Sequence, residues 1–432
     1  VAEFYSQEGE ENTANWLRNL AVYVGQPVYL EFLLQVLQAT SESNGDPQVV
    51  YPLLEENIEK LDYILPEVLQ SWAKDKLAEV ETDTAEYIAG VIGNFSNLIG
   101  QFPLGDKASN MEIAIAGYEI LLTVYTRTAF PQQWATVQNN LGTAYSNRID
   151  GDKAQNLEKA IAAYSQALEI YTRTAFPQQW ATTQNNLGNA YRNRIDGDKA
   201  QNLEKAIAAY TQALEIYTRS AFPQDWATTQ NNLGNAYSNR IDGDKAQNLE
   251  LAIAAFSQAL EIYTRSAFPQ KNVETLFNLG LAYQDGKHYT FAYNSFESAI
   301  ETVEFLRGEI VSGEESKRKQ AEEWNGLYRR MVEVCLKLEQ DTQAIEYIER
   351  SKTRNLVELL AIRNLYPTGE IPEDKRKQLQ QIRKDIDIEK RRLAADTLPD
   401  HTYINQLRQR YSELYPYEPI QFSQIQSLLA ED

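Results

Sequence analysis

Two histidines, His288 and His401, and one cysteine, Cys335, supply all the imidazole and thiol chemistry of the chain. They exclude a disulfide framework and any zinc cluster built from cysteine and histidine. A Cys335–His288 pair is the one arrangement left for covalent catalysis, and Cys335 falls where a packing residue belongs, as a buried and inert thiol. Asp-Gly-Asp recurs at Asp150, Asp196 and Asp242. The sixth-position glycine and closing glutamate of a calcium-binding EF-hand loop are missing, so these segments read as turns and caps. The reading is therefore of a chain with no catalytic residues, no metal site and no cofactor. The polar chemistry that does recur is the carboxamide. Asn139, Thr143 and Asn147 are followed by Asn185, Asn189 and Asn193, then by Asn231, Asn235 and Asn239, each set spaced i, i+4, i+8. On a helix that spacing keeps three side chains within about 80° of one face. An amide both donates and accepts, so a row of them can pair with the backbone of an extended peptide whatever its side chains.

The elements that must position these amides follow from repetition. Ala-Phe-Pro-Gln starts at Ala129, Ala175, Ala221 and Ala267, a period of 46, and Trp134, Trp180 and Trp226 keep the same register. Residues 148–193 and 194–239 differ at four places only: Ser165/Thr211, Thr174/Ser220, Gln179/Asp225 and Arg192/Ser238. Each unit holds two helical patterns, expected at Trp134–Arg148 and Leu157–Arg173. The Asp-Gly turn lies between them, and Asn156 is expected to cap the second. Thr174–Gln179, with Pro177 inside, is expected to close the unit. The tryptophans are expected to wedge neighbouring units together.

The chain carries 61 acidic against 41 basic residues, a formal net charge of −20. Such a balance repels phosphate backbones, so neither nucleic acid nor an anionic membrane is an expected partner. The acidity is concentrated in residues 1–100, whereas 371–415 is mildly basic and mixed in sign. The most apolar stretch, Leu20–Leu37, contains Gln26, Pro27, Glu31 and Gln35, and no segment has the uninterrupted apolar length of a membrane span. The start at Val1 shows no basic segment leading into an apolar one, which argues against a retained signal peptide. With a single thiol, the expected location is cytoplasmic.

Leu141, Gly142 and Tyr145 on the first helix, then Ala160, Tyr164 and Ala167 on the second, resemble the tetratricopeptide signature. The usual repeat of that family is shorter, and the extra length here sits in the intra-pair turn and in the link between pairs. The register extends upstream through Gly105–Gln132, with a decayed first helix around Asn94–Ile99. Downstream it continues through Leu279, Gly280, Tyr283, Ala292, Phe296 and Ala299, and then Met331, Val332, Cys335, Ala344, Ile348 and Ser351. The expected fold is all-α: a right-handed α-solenoid of helix pairs followed by a helical hairpin. The expected divisions are an irregular helical region over 1–90, the repeat array over 91–352 and a linker and hairpin over 353–415. In the hairpin, Leu379, Ile382, Ile386 and Leu393 face Ile404, Leu407, Tyr411 and Leu414. The resemblance implies that the first helix of each pair lines a concave groove. Its binding residues would then be Asn139, Asn147, Asn185, Asn189, Asn193, Asn231, Asn235, Asn239 and Arg192. Arg148, Arg194 and Arg240 would stand at the groove edge and select acidic side chains. The lysines with which some members of the family hold a C-terminal carboxylate are replaced by Asn139, Asn185 and Asn231.

Ser-Lys-Thr-Arg-Asn-Leu-Val-Glu-Leu-Leu-Ala from Ser351, the Tyr366–Pro372 turn, the charged hairpin and the closing Pro419–Asp432 are similar to the junction between tetratricopeptide arrays and CHAT domains of cyanobacterial proteins. CHAT domains are caspase-like, with a catalytic histidine and cysteine. The resemblance implies that residues 416–432 begin such a domain, that no catalytic residue of it lies in this chain, and that the array is its sensing or recruiting arm. Two functional readings follow. In one, the asparagine-lined groove holds a protein or extended peptide; in the other, the array is a structural scaffold or self-association module with an empty groove.

Overall fold

A computed structural model describes residues 11–308, 314–362, 373–395 and 402–414. All the regular structure among them is helical, and they fall into two compact units, Val1–Ile216 and Tyr217–Asp432.

In the first unit the helices are α1 (Glu11–Glu42), α2 (Pro47–Glu55), α3 (Ile64–Glu79), α4 (Thr82–Gln101), α5 (Lys107–Val124), α6 (Pro131–Asn147), α7 (Lys153–Ala167), α8 (Pro177–Asn193) and α9 (Lys199–Ala213). Helices α4 and α5 pair, as do α6 with α7 and α8 with α9. Each second helix also packs on the first helix of the next pair, α5 on α6 and α7 on α8, while α6 touches α8 directly. This is the packing of tetratricopeptide-like repeats, in which no pair buries its apolar face alone. Ahead of the array, α1 packs on α3 and α4, and Leu33, Leu54, Leu65, Leu69, Ile92 and Ile99 form a core with almost no exposed surface.

The second unit holds α10 (Pro223–Ser238), α11 (Lys245–Leu260), α12 (Pro269–Asp285), α13 (Tyr289–Gly308), α14 (Glu314–Lys337) and α15 (Asp341–Ile362). They pair in the same order, α10 with α11, α12 with α13 and α14 with α15. Helices α16 (Glu373–Ala395) and α17 (Thr402–Leu414) form the expected hairpin around Leu379, Ile382, Ile386, Ile404 and Leu407. The side chains of Leu393 and Tyr411 lie outside the described residues, as do His401, the Tyr366–Pro372 turn and 416–432.

Close approach within a pair depends on glycine. A Cβ at Gly142 would stand 2.6 Å from Cε1 of Tyr164, and one at Gly188 would stand 2.6 Å from Cε1 of Tyr210. One side of the aromatic ring, Cδ1, Cε1 and Cζ, occupies the place where a side chain would otherwise project, and both tyrosines are buried.

Three local expectations are corrected. Asn156 does not cap the second helix. Asp152 does, with extended backbone (φ −76°, ψ 122°) and its carboxylate accepting from Gln155 N at 2.8 Å. Asn156 instead lies buried inside α7, and its amide donates to the carbonyl of Asp150 at 2.8 Å. The second helix ends at Ala167 rather than Arg173, because Tyr171 is drawn back onto the first helix. Its hydroxyl shares a hydrogen bond with Thr136 at 2.6 Å, and its ring stands edge-on to Phe176 at 5.5 Å. Pro177 does not close its unit: it occupies the first turn of α8, where its missing N–H costs nothing.

Candidate functional site

The first helices present their amides in the expected register, but the scaffold uses several of them. In the first unit, Thr183 on α8 donates its hydroxyl to Oδ1 of Asn139 on α6 at 3.1 Å, bridging neighbouring first helices. Asn189 on α8 accepts at Oδ1 from the Tyr210 hydroxyl of α9 at 2.8 Å. The corresponding tyrosine of the preceding pair, Tyr164, donates instead to the hydroxyl of Thr143 at 3.1 Å. Asn147 and Asn193 close their helices and are exposed, while Asn185 is half-buried. Among the described residues no hydrogen bond uses Nδ2 of Asn139 or Asn189, so the donor is what these two amides have left to offer. Arg192 is half-buried, and its own carbonyl accepts from Nζ of Lys199 at 2.6 Å. Burial pushes the Tyr210 phenol well above its usual range, with the Arg192 charge pulling the other way.

In the second unit Asn231 and Asn235 are half-buried on α10, and Oδ1 of Asn231 is buried without a hydrogen-bond donor. Asn239 falls just beyond the helix. As the C-cap it donates Nδ2 to the carbonyl of Asn235 at 2.7 Å, so its amide serves the helix end.

The arginines expected at the edge are held by the protein itself. Nε and Nη2 of Arg148 donate to the carboxylate of Glu112 at 2.6 and 2.7 Å, and Nη1 donates to Oδ1 of Asn156 at 3.4 Å. Arg194 repeats this on Glu158 at 2.6 and 2.8 Å and on Asn202 at 3.2 Å. Both arginines are therefore two-pronged clamps from the end of one first helix to the preceding second helix, which displaces the expected role in selecting acidic partners. The Arg194 guanidinium draws Glu158 below the ordinary glutamate range, and Glu158 raises Arg194 in turn. Glu112 and Glu158 were not singled out from the sequence. Their signal is a Glu–Arg separation of 36 residues, recurring once per period.

Other candidates take structural places. Cys335 has no exposed surface, and burial pushes its thiol up to about 11, so it is not a thiolate at neutral pH. His288 is exposed at the start of α13, its ring edge-on to Tyr283 and Phe291. Trp134 and Trp180, from successive first helices, both pack against Ala135, Ala167 and Tyr171, which is the wedge expected of them. Trp226 packs on Ala227, Ala259 and Tyr263 in the second unit. Among the described residues no group of three or more His, Cys, Asp or Glu could hold a metal ion, and no helix is long and apolar enough to cross a membrane.

Comparison with known proteins adds a match of residues 122–225 to the family of soluble NSF attachment protein, SNAP. Two solved structures are similar. MamA protein is 17% identical, covering 56% of this chain and 99% of that one at a TM-score of 0.35. BtubC (BKLC) from P. vanneervenii is 18% identical, covering 68% and 95% at a TM-score of 0.35. No curated protein matches the chain.

Proposed function

We propose that the chain is a protein–protein interaction module whose first-helix faces hold an extended segment of a partner polypeptide. The observation that carries this reading is the state of Asn139 and Asn189. Their oxygens are fixed on Thr183 and Tyr210, which orients each amide and leaves Nδ2 to pair with a carbonyl oxygen of a bound backbone. Exposed Asn147 and Asn193 extend the row, about two turns beyond Asn139 and one beyond Asn189, and Arg192 adds a positive charge beside it. The likeness of the C-terminal junction to CHAT-containing proteins supports a narrower form, in which the module senses or recruits for a caspase-like protease. A lone buried thiol suits a reducing, cytoplasmic setting.

The test is capture of peptides from a random displayed library by the wild type and by a variant with Asn139, Asn147, Asn189 and Asn193 changed to alanine. Peptides enriched on the wild type are expected to lose binding on the variant. Equal capture by both removes the asparagines from the site.

A second reading is a scaffold or self-association module with no ligand on this face. It is favoured by the same two bonds viewed as structural bridges, and by Asn239 acting as a helix cap. Light scattering separates the two: a concentration-dependent rise in mass, together with library peptides that ignore the asparagine changes, supports the scaffold.

A further inference from the structure

The turns inside each pair show an arrangement that the asparagine face does not explain. Ile149 is 62% exposed and Ile195 is 60% exposed, at the tip of successive turns of the first unit. A β-branched apolar residue at the tip of an Asp-Gly turn is unexpected, since such positions ordinarily take polar side chains. The tip is also rigid. Gly151 and Gly197 hold φ at +78° and +79°, and buried Asn156 and Asn202 pin the carbonyls of Asp150 and Asp196 at 2.8 and 2.9 Å. The basic residues of each turn are engaged by the protein itself. Arg148 and Arg194 are clamped on Glu112 and Glu158, while Nζ of Lys153 and Lys199 donates to the carbonyls of Ser146 and Arg192 at 2.7 and 2.6 Å. What faces solvent is an isoleucine with an exposed aspartate directly after it, Asp150 or Asp196.

We propose that this turn edge is a second docking surface, for a polypeptide segment that sets an apolar side chain beside lysine or arginine. Charge complementarity selects that occupant. The outward groups are apolar and acidic: Arg148 and Arg194 are neutralised by Glu112 and Glu158, and the two exposed aspartates of each turn outnumber its one lysine, in a chain that carries −20 as a whole. Rigid display lowers the ordering cost of binding, so a small contact repeated turn after turn is enough to hold an extended segment. The second unit carries the same tip: Ile241 is 60% exposed, Gly243 has φ +85°, and Asn248 pins the carbonyl of Asp242 at 2.9 Å.

The probe is a fluorescein-labelled twelve-residue peptide of repeated Lys-Leu-Ser, compared by fluorescence anisotropy with the same peptide carrying serine for every leucine. Both are titrated with the full chain at physiological salt. The leucine peptide is expected to bind roughly ten-fold or more tightly than its serine counterpart, since each leucine can bury surface on an isoleucine tip. Ile149→Ser, Ile195→Ser and Ile241→Ser together should erase that preference, with circular dichroism and melting unchanged because the residues are exposed. Asp150→Asn, Asp196→Asn and Asp242→Asn together should weaken both peptides. Alanine at Asn139, Asn147, Asn189 and Asn193 should leave the preference intact, which separates this edge from the first-helix face. The proposal is overturned by equal binding of the two peptides, by a leucine preference that survives in the isoleucine variant, or by its loss in the asparagine variant.

Discussion

Gly188 has no room for a methyl group: the Tyr210 ring occupies the place where it would go, and that ring is itself buried with its hydroxyl bound to Asn189. Gly188→Ala must therefore push the ring aside or separate the two helices. A loss of about 1–3 kcal/mol is expected, read as a lower midpoint in urea denaturation. Glu158 makes a prediction of a different kind. Its folded pKa is lowered by Arg194, so the pair stabilises the protein fully above the usual glutamate range and ceases to do so as pH falls through the lowered value. The stability difference between wild type and Glu158→Gln, present at pH 7, should shrink on acidification. With Glu158 37% exposed, solvent screening limits the difference to under about 1 kcal/mol. At this scale the sequence was informative about place and silent about use. The spacing of Asn139 and Asn189 placed them on first helices of successive pairs, but whether each oxygen is free depends on Thr183 and Tyr210, which arrive from neighbouring elements.

The second helices begin where a cap is supplied, and Asp198 supplies it for α9 by accepting from Gln201 N at 2.8 Å. Asp198→Ala should cost about 1 kcal/mol, measurable as a shift in melting temperature against a neighbouring exposed substitution. Asn156 was the expected cap of the second helix, and Asp152 suits the role equally by its own chemistry. Both are short and polar, and both precede an apolar run, so local propensity cannot choose between them. The left-handed backbone at Gly151 decides, because it delivers the chain into the helix one residue before Lys153. The overshoot of the second helix has a similar origin. Leu168, Ile170 and Tyr171 prolong the apolar pattern past Ala167, and only the contacts of Tyr171 with Thr136 and Phe176 reveal that these residues pack from a turn.

For the molecule as a whole, the period of 46 residues carried most of the architecture. Helix pairs and their order follow from self-similarity, whereas the helices ahead of the array carry no repeat and their packing had no sequence signal of comparable strength. Residues 148–193 form a complete period, and their removal joins Asn147 to Arg194 in an unchanged local sequence. The shortened chain should keep its ellipticity per residue and unfold cooperatively at a lower midpoint, as expected of a stack stabilised by nearest neighbours. A deletion of equal length begun at Ala160 tests the same logic, because it also removes a full period. Removal of 160–193 alone, which cuts through α7 and takes α8 with it, should instead lose cooperative unfolding in a circular dichroism melt.

The arginine clamps acquire another meaning when the chain is still unfolded. Glu112 meets Arg148, and Glu158 meets Arg194, through side chains set in almost the same local sequence. Glu112 docked on Arg194 in place of Arg148 would loop out one period at a modest extra closure cost and leave a misthreaded stack with many native-like contacts. Escape requires those contacts to come apart. Refolding from denaturant should therefore show a slow phase whose rate does not depend on protein concentration. Substitutions that make one copy unlike its neighbour, at Glu158 and Arg194 together, should diminish its amplitude: the likeness that builds the stack so economically is also a source of mistaken identity.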